Sequence, residues 1–303
     1  MENAVLLMAY GGPDKLEDVE PYLLDVRGGR PTPPELVEEV RKRYAAVGGR
    51  SPLLQRTIEQ AEALERELAH LGRPRDVYVG MRHWHPYIAE TVATMVKKGV
   101  REAVAVAMAP HYSRMSVGAY RHKVEEALAA LGSTMRVTFV GSWHDHPLFL
   151  DAVAAKLRAA LDGYPDDLRE SVAVVFTAHS LPRRILEAGD PYHDEFLASA
   201  RAVAERAELA QWEWAYQSAA STGDEWLGPD LGARLDELHD RGVHEVLVVP
   251  IGFVCDHVEV LWDVDVFYRD YAQAKGMRLA RTPSLNASPE FIRALAAIVT
   301  EAE

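Results

Sequence analysis

Two short segments far apart in the chain each set a reactive side chain just beyond an apolar run of strand length. Thr177-Ala178-His179-Ser180-Leu181-Pro182 follows the run at 172–176, and Asp256-His257-Val258-Glu259-Val260-Leu261 follows the run at 246–249. Both runs read as buried strands whose ends deliver His179 and Glu259 to one edge of a sheet. An imidazole that titrates near neutral pH, placed beside a carboxylate, can accept protons, and the same two groups are ligands for a divalent metal. Taken singly, a histidine after a strand is more often a packed, hydrogen-bonded residue, and a glutamate more often a solvated one.

The elements that must hold this pair follow a regular alternation. Strand-length apolar runs at 4–8, 77–80, 103–107, 136–140, 173–177, 212–216 and 246–250 alternate with helix-period stretches at 58–70, 87–97, 120–131, 148–161, 195–207 and 231–241. This is the βαβ pattern of an α/β protein with parallel sheets, its amphipathic helices covering the sheet faces. The polar turn Gly163-Tyr164-Pro165-Asp166-Asp167 separates the strands into two groups, predicting one half over 1–162 and a second over 163–285. Ser288 as N-cap and Pro289 at the first helical position predict a last helix near the C-terminus.

Composition limits what such a scaffold can do. The 303 residues are enough for two such halves, and a formal net charge of −13 denies nucleic acid the broad cationic surface it needs. The single cysteine, Cys255, cannot form an internal disulfide or supply an iron–sulfur cluster and reads as a small buried residue; it fits a reducing, cytoplasmic compartment. The N-terminus runs straight from Val5-Leu6-Leu7-Met8 into Tyr10-Gly11-Gly12-Pro13, which is strand and turn rather than signal peptide, and no stretch approaches the ~20 apolar residues of a membrane span.

Strand ends in open parallel sheets face a crevice, and here they carry Tyr10-Gly11-Gly12-Pro13, Arg82-His83-Trp84-His85-Pro86, Pro110-His111-Tyr112-Ser113 and Gln217-Ser218 beside the first pair. A dinucleotide fingerprint and a phosphate-binding Walker loop are both missing, since Gly11-Gly12 and Gly28-Gly29 lack the further glycines and the lysine. Ser180 lacks the flanking glycines of a hydrolase nucleophile elbow. His83 and His85 alternate on a segment read as extended, which would point both the same way, as metal ligands or as cleft lining. His144 and His146 read as surface loop residues.

Five segments in order along nearly the whole chain resemble the ferrochelatases: Met8-Ala9-Tyr10-Gly11-Gly12-Pro13, Gly48-Gly49-Arg50-Ser51-Pro52-Leu53, Thr177-Ala178-His179-Ser180-Leu181-Pro182, Trp226-Leu227-Gly228-Pro229 and the run from Gly252 to Leu261. The resemblance implies two Rossmann-like domains with the final stretch 286–303 packing back on the first, and insertion of Fe2+, a substrate, into a porphyrin with no permanent cofactor. It reverses the odds for His179 and Glu259, placing both as catalytic residues that also handle the incoming iron. Whether Glu259 relays protons or holds iron before transfer is left open.

The sequence is most similar to the branch of that family that uses coproporphyrin III. By that resemblance Tyr10 is a ligand to the product iron, and Arg27, Arg43, Tyr44, Ser51 and Tyr120 contact the porphyrin and its propionates. Coproporphyrin III carries four carboxylates against two in protoporphyrin IX, so a richer set of donors suits it. The implied partners are coproporphyrin III and Fe2+, with a coprohaem decarboxylase downstream, and the chain is expected to act as a monomer. A protoporphyrin IX ferrochelatase or another metal chelatase is the alternative, and a non-catalytic tetrapyrrole carrier is the reading from a different class. Glu259 and Asp263 are expected to share a helical face that ends at Phe267, interrupting any outer acidic metal site.

Overall fold

The computed structural model describes residues 2–220 and 223–302, so Met1 and Glu303, the outer ends of the ranges 1–162 and 286–303, lie outside the described residues. The first half runs β1 Asn3–Ala9, α1 Val19–Val26, α2 Pro34–Ala46, α3 Leu53–His70, β2 Asp76–Met81, α4 Ile88–Lys97, β3 Glu102–Ala107, α5 Val117–Ala130, β4 Arg136–Val140 and α6 Pro147–Leu161. The chain continues with α7 Asp166–Arg169, β5 Ala173–His179, α8 Arg184–Glu187, α9 Tyr192–Arg206, β6 Glu213–Gln217, α10 Leu231–Asp240, β7 Glu245–Val249, α11 Val258–Leu261, α12 Arg269–Ala274, β8 Arg278–Arg281 and α13 Pro289–Glu301.

The strands form two parallel sheets of four, ordered β2-β1-β3-β4 and β6-β5-β7-β8. In each sheet the strand that comes first in the chain is central and the next two flank it on either side, so the connections reverse direction at β1/β3 and at β5/β7. Such a switch point opens a crevice beyond the carboxyl ends of the strands. Tyr10 follows β1, His179 ends β5 and Glu259 lies just after β7. Both central strands are buried along almost their whole length, which is why their sequences read as continuous apolar runs.

The largest apolar cluster does not respect the halves. It takes Val5 and Leu7 from β1, Phe176 from β5, Phe149 from α6, Phe196 from α9 and Leu295 from α13. The last helix, α13, packs on α3 and α6. Ser288 occupies its N-cap position as expected, but the Ser288 Oγ makes no capping hydrogen bond and is buried without a partner.

The short helices α7, α8 and α12 escaped the sequence pattern, and so did three further elements. Strand β8, Arg-Leu-Ala-Arg, pairs only with β7 as an edge and presents arginines at both ends, so it has no apolar run to read. Helices α1 and α2 are masked by prolines, yet Pro21 lies in the first turn of α1 and Pro34 opens α2, where a missing N–H breaks no intrahelical bond.

Candidate active site

Tyr10, Tyr44, Ser51, Tyr120, His179 and Glu259 line one cleft of about 310 Å³ between the two sheets, together with Tyr22, Arg82, Met115 and His257. Residues that are separated by up to most of the chain length thus meet in one space. Arg27 and Arg43 are not part of the lining. Arg27 caps the C-terminus of α1, its Nε buried without a partner, and Arg43 is paired with Glu39 on α2.

The chemical centre is Glu259 held between two imidazoles. His179 Nε2 lies 3.3 Å from Glu259 Oε1, and His257 Nε2 lies 3.1 Å from Glu259 Oε2. The other ring nitrogen of each histidine faces a carbonyl: His179 Nδ1 meets Ser180 O, and His257 Nδ1 lies 2.9 Å from Cys255 O. Each ring is therefore flanked by acceptors at both nitrogens, a setting that only the doubly protonated imidazolium satisfies. Burial works against that charge, but the Glu259 carboxylate outweighs it and the pKa of both histidines rises above 6.5. Glu259 is only partly buried; desolvation would raise its pKa, yet the two imidazoles hold it well below the usual carboxylate range.

A buried glutamine locks this spacing. Gln217, the last residue of β6, pairs in register with His179, accepts a hydrogen bond from Thr177 Oγ1 at 2.8 Å and donates to the Glu259 carbonyl at 2.6 Å. One fully buried side chain thereby ties the strand that carries His179 to the turn that carries Glu259. The Tyr192 hydroxyl adds a bond to the His179 carbonyl at 2.8 Å.

Close packing sets the walls. A Cβ at Gly252 would come within 2.8 Å of Ala178, so the loop after β7 lies against β5 only because this residue is glycine. A Cβ at Gly12 would come within 2.5 Å of Ser51 Oγ, and the Tyr44 hydroxyl is also close by. Ser51 and Tyr44 thus gather at one point of the cleft through a glycine of the first strand-end motif.

The acidic face differs from a regular helix. After the single turn of α11 the backbone widens into a π-helical stretch, Asp263–Tyr268, in which Phe267 N bonds Trp262 O at 2.9 Å. Asp263 is buried, accepts a hydrogen bond from Ser218 Oγ and has its pKa raised to about 6, chiefly by burial, with the Glu259 charge adding to it. Asp265 turns away to Arg281 at 2.7 Å, and Phe267 stands exposed. Among the described residues no group of three or more His, Cys, Asp or Glu is arranged to hold a metal ion.

Tyr10 projects into the cleft with its ring 4.6 Å from that of His83. Its phenol pKa is pushed up to about 12, first by the surrounding protein and then by Glu259, with Arg82 pulling the other way. His83 and His85 do not point the same way. Met81 N bonds Pro86 O at 2.7 Å, so the segment is a tight loop rather than an extended strand. His83 is buried with Nδ1 2.7 Å from Asp25, while His85 is exposed beside Glu90. His144 and His146 are likewise not surface residues. Glu195 of α9 lies 3.5 Å from His144 and Glu301 of α13 lies 3.6 Å from His146, and the two helices leave both side chains largely buried. Cys255 is buried, which pushes its thiol up to about 12.

The sequence places Arg82 and Gln217 at strand ends facing the crevice and His257 beside Glu259, but gives none of the three a role. His257 is the N-cap of α11 on extended backbone, φ −156° and ψ −179°, and its ring reaches the Glu259 carboxylate from there. Its strand-end position marks Gln217 as crevice-facing, but its two partners lie 40 and 42 residues away.

The ferrochelatase family model matches residues 2–303. The chain belongs to the ferrochelatase family. It is 43% identical to the ferrochelatase of Herpetosiphon aurantiacus over 99% of this chain and 98% of that protein. With the ferrochelatase of Deinococcus radiodurans it shares 41% identity over 97% of this chain and 94% of that one. The coproporphyrin III ferrochelatase of Bacillus subtilis is 40% identical, with 97% and 96% covered. Among solved structures, the sirohydrochlorin chelatase SirB of Bacillus subtilis subspecies spizizenii in complex with cobalt superposes with a TM-score of 0.61 over 100% of this chain and 95% of that one, at 12% identity. That likeness establishes a chelatase fold with two parallel sheets. No helix among the described residues is long and apolar enough to cross a membrane.

Proposed function

We propose that the chain inserts Fe2+ into coproporphyrin III, releasing two protons and giving iron coproporphyrin. The observation that carries this reading is the His179–Glu259 contact at 3.3 Å inside a cleft that also holds phenols and a serine. Metallation requires two pyrrole N–H protons to leave while iron exchanges water for four nitrogens. In this reading His179 Nε2 accepts a proton once the ring is neutral, and Glu259 either passes it outward or holds Fe2+ before transfer. His257 steadies the carboxylate from its second oxygen. Iron is consumed as a substrate, and no resident cofactor is called for.

Coproporphyrin III is favoured over protoporphyrin IX by relatives of that name at 37–40% identity and by the hydroxyl donors Tyr44, Ser51 and Tyr120 in the cleft. The test is Fe2+ insertion into each porphyrin under anaerobic conditions. We expect kcat/KM for coproporphyrin III to exceed that for protoporphyrin IX by about tenfold or more. Equal or reversed preference would move the chain to the protoporphyrin reading, and binding of both without insertion would move it to a carrier.

Tyr10 is the proposed oxygen ligand to the product iron. Its raised pKa keeps the phenol protonated at neutral pH, and ferric iron, a hard cation, would displace that proton. The Tyr10→Phe variant keeps the ring against His83 and removes the oxygen. It is expected to insert iron at a substantial rate, while its product complex, once oxidised by air to the ferric state, shows a changed absorption spectrum. An unchanged spectrum would make Tyr10 a packed aromatic only.

A further inference from the structure

We propose that Arg82 is a specificity-determining residue of the cleft, binding a substrate carboxylate that a porphyrin with four acids has and a porphyrin with two lacks. The proposal rests on the porphyrin reading above. Arg82 follows β2 and lines the cleft. Its guanidinium carbon lies 5.8 Å from the ring centroids of both Tyr10 and Tyr120, and Nη1 donates to the Met115 carbonyl at 3.0 Å. Two phenol rings and one backbone oxygen thus hold the group in place.

No carboxylate pairs with Arg82 among the described residues, whereas Arg184, Arg234 and Arg281 each meet one. In a chain of net charge −13, an arginine left without a counter-ion in a substrate cleft has donors to spare for an anionic ligand. The Ser51 and Tyr44 hydroxyls that gather at Gly12 line the same cleft, so a substrate with several acids meets neutral donors there as well as this cation. Protoporphyrin IX bears vinyl groups where coproporphyrin III bears its two additional propionates. A vinyl against Arg82 would desolvate the charge without pairing it, a penalty aimed at the smaller acid set.

Equilibrium binding of coproporphyrin III and protoporphyrin IX, followed by porphyrin fluorescence across a salt series, tests this in the wild type, Arg82→Met and Arg82→Lys. Arg82→Met is expected to weaken coproporphyrin III binding about tenfold to thirtyfold and protoporphyrin IX binding less than about threefold, with a shallower salt dependence for the former. Arg82→Lys should recover part of the loss, which also distinguishes a lost charge from a misfolded variant. Equal weakening of both porphyrins, or none for coproporphyrin III, would overturn the proposal. A wild type that binds neither porphyrin overturns it together with the reading it rests on. One that binds coproporphyrin III without inserting iron defeats the activity alone, and the Arg82 variants then still decide the carboxylate site.

Discussion

Iron insertion by the His179→Ala variant is expected to fall by roughly 10²- to 10⁴-fold, while coproporphyrin III affinity stays within about tenfold of the wild type. The imidazole stands at the end of β5, with Nε2 on the Glu259 carboxylate and Nδ1 on a backbone carbonyl. In the proposed reading, removing it deletes a proton acceptor, an interaction made in the transition state, while Tyr44, Ser51, Tyr120 and Arg82 still line the cleft. Single-turnover metallation alongside fluorescence titration separates the two quantities. Turnover within a few-fold of the wild type would remove the base assignment, and a parallel collapse of affinity would make His179 a binding residue.

What could be read in the sequence follows from how locally each feature is encoded. The central strands β1 and β5 announce themselves because both of their faces are buried, which demands an uninterrupted apolar run. The same logic hides β8, an edge strand whose Arg278 and Arg281 pair with Glu245 and Asp265 instead of filling a core. His179 and Glu259 were legible as residues beyond strand-length runs, and the family resemblance of the motifs around them is what raised them above a packed histidine and a solvated glutamate. Gln217 and Arg82 were legible only as strand-end residues, because their partners are brought together only by folding. His83 and His85 show the opposite failure. Alternation implied convergence, but the loop closed by Met81 and Pro86 sends one ring inward to Asp25 and leaves the other outside.

Glu259→Gln is expected to impair insertion by about 10²-fold or more and to move its pH profile in a defined direction. In the wild type the carboxylate holds the His179 pKa above 6.5, so the neutral imidazole that can accept a pyrrole proton accumulates only as pH rises through that raised value. The acid limb of kcat/KM should therefore lie above pH 6.5. Glutamine keeps the shape of the side chain but removes the negative charge, after which burial dominates and the histidine pKa falls. The residual activity should then reach its plateau at lower pH than in the wild type, even though the plateau itself is far lower. Asp263→Asn provides the contrast. Asp263 is the least of the contributors to the His179 shift, so the substitution should change the profile little. Measuring kcat/KM between pH 5.5 and 9, as roughly the range set by these groups, decides the matter. If Glu259→Gln lowers the rate with no displacement of the acid limb, the carboxylate acts by holding iron and not by setting the proton affinity of His179. If Asp263→Asn proves the more damaging of the two, the acceptor chain runs through the π-helical stretch instead of ending at Glu259.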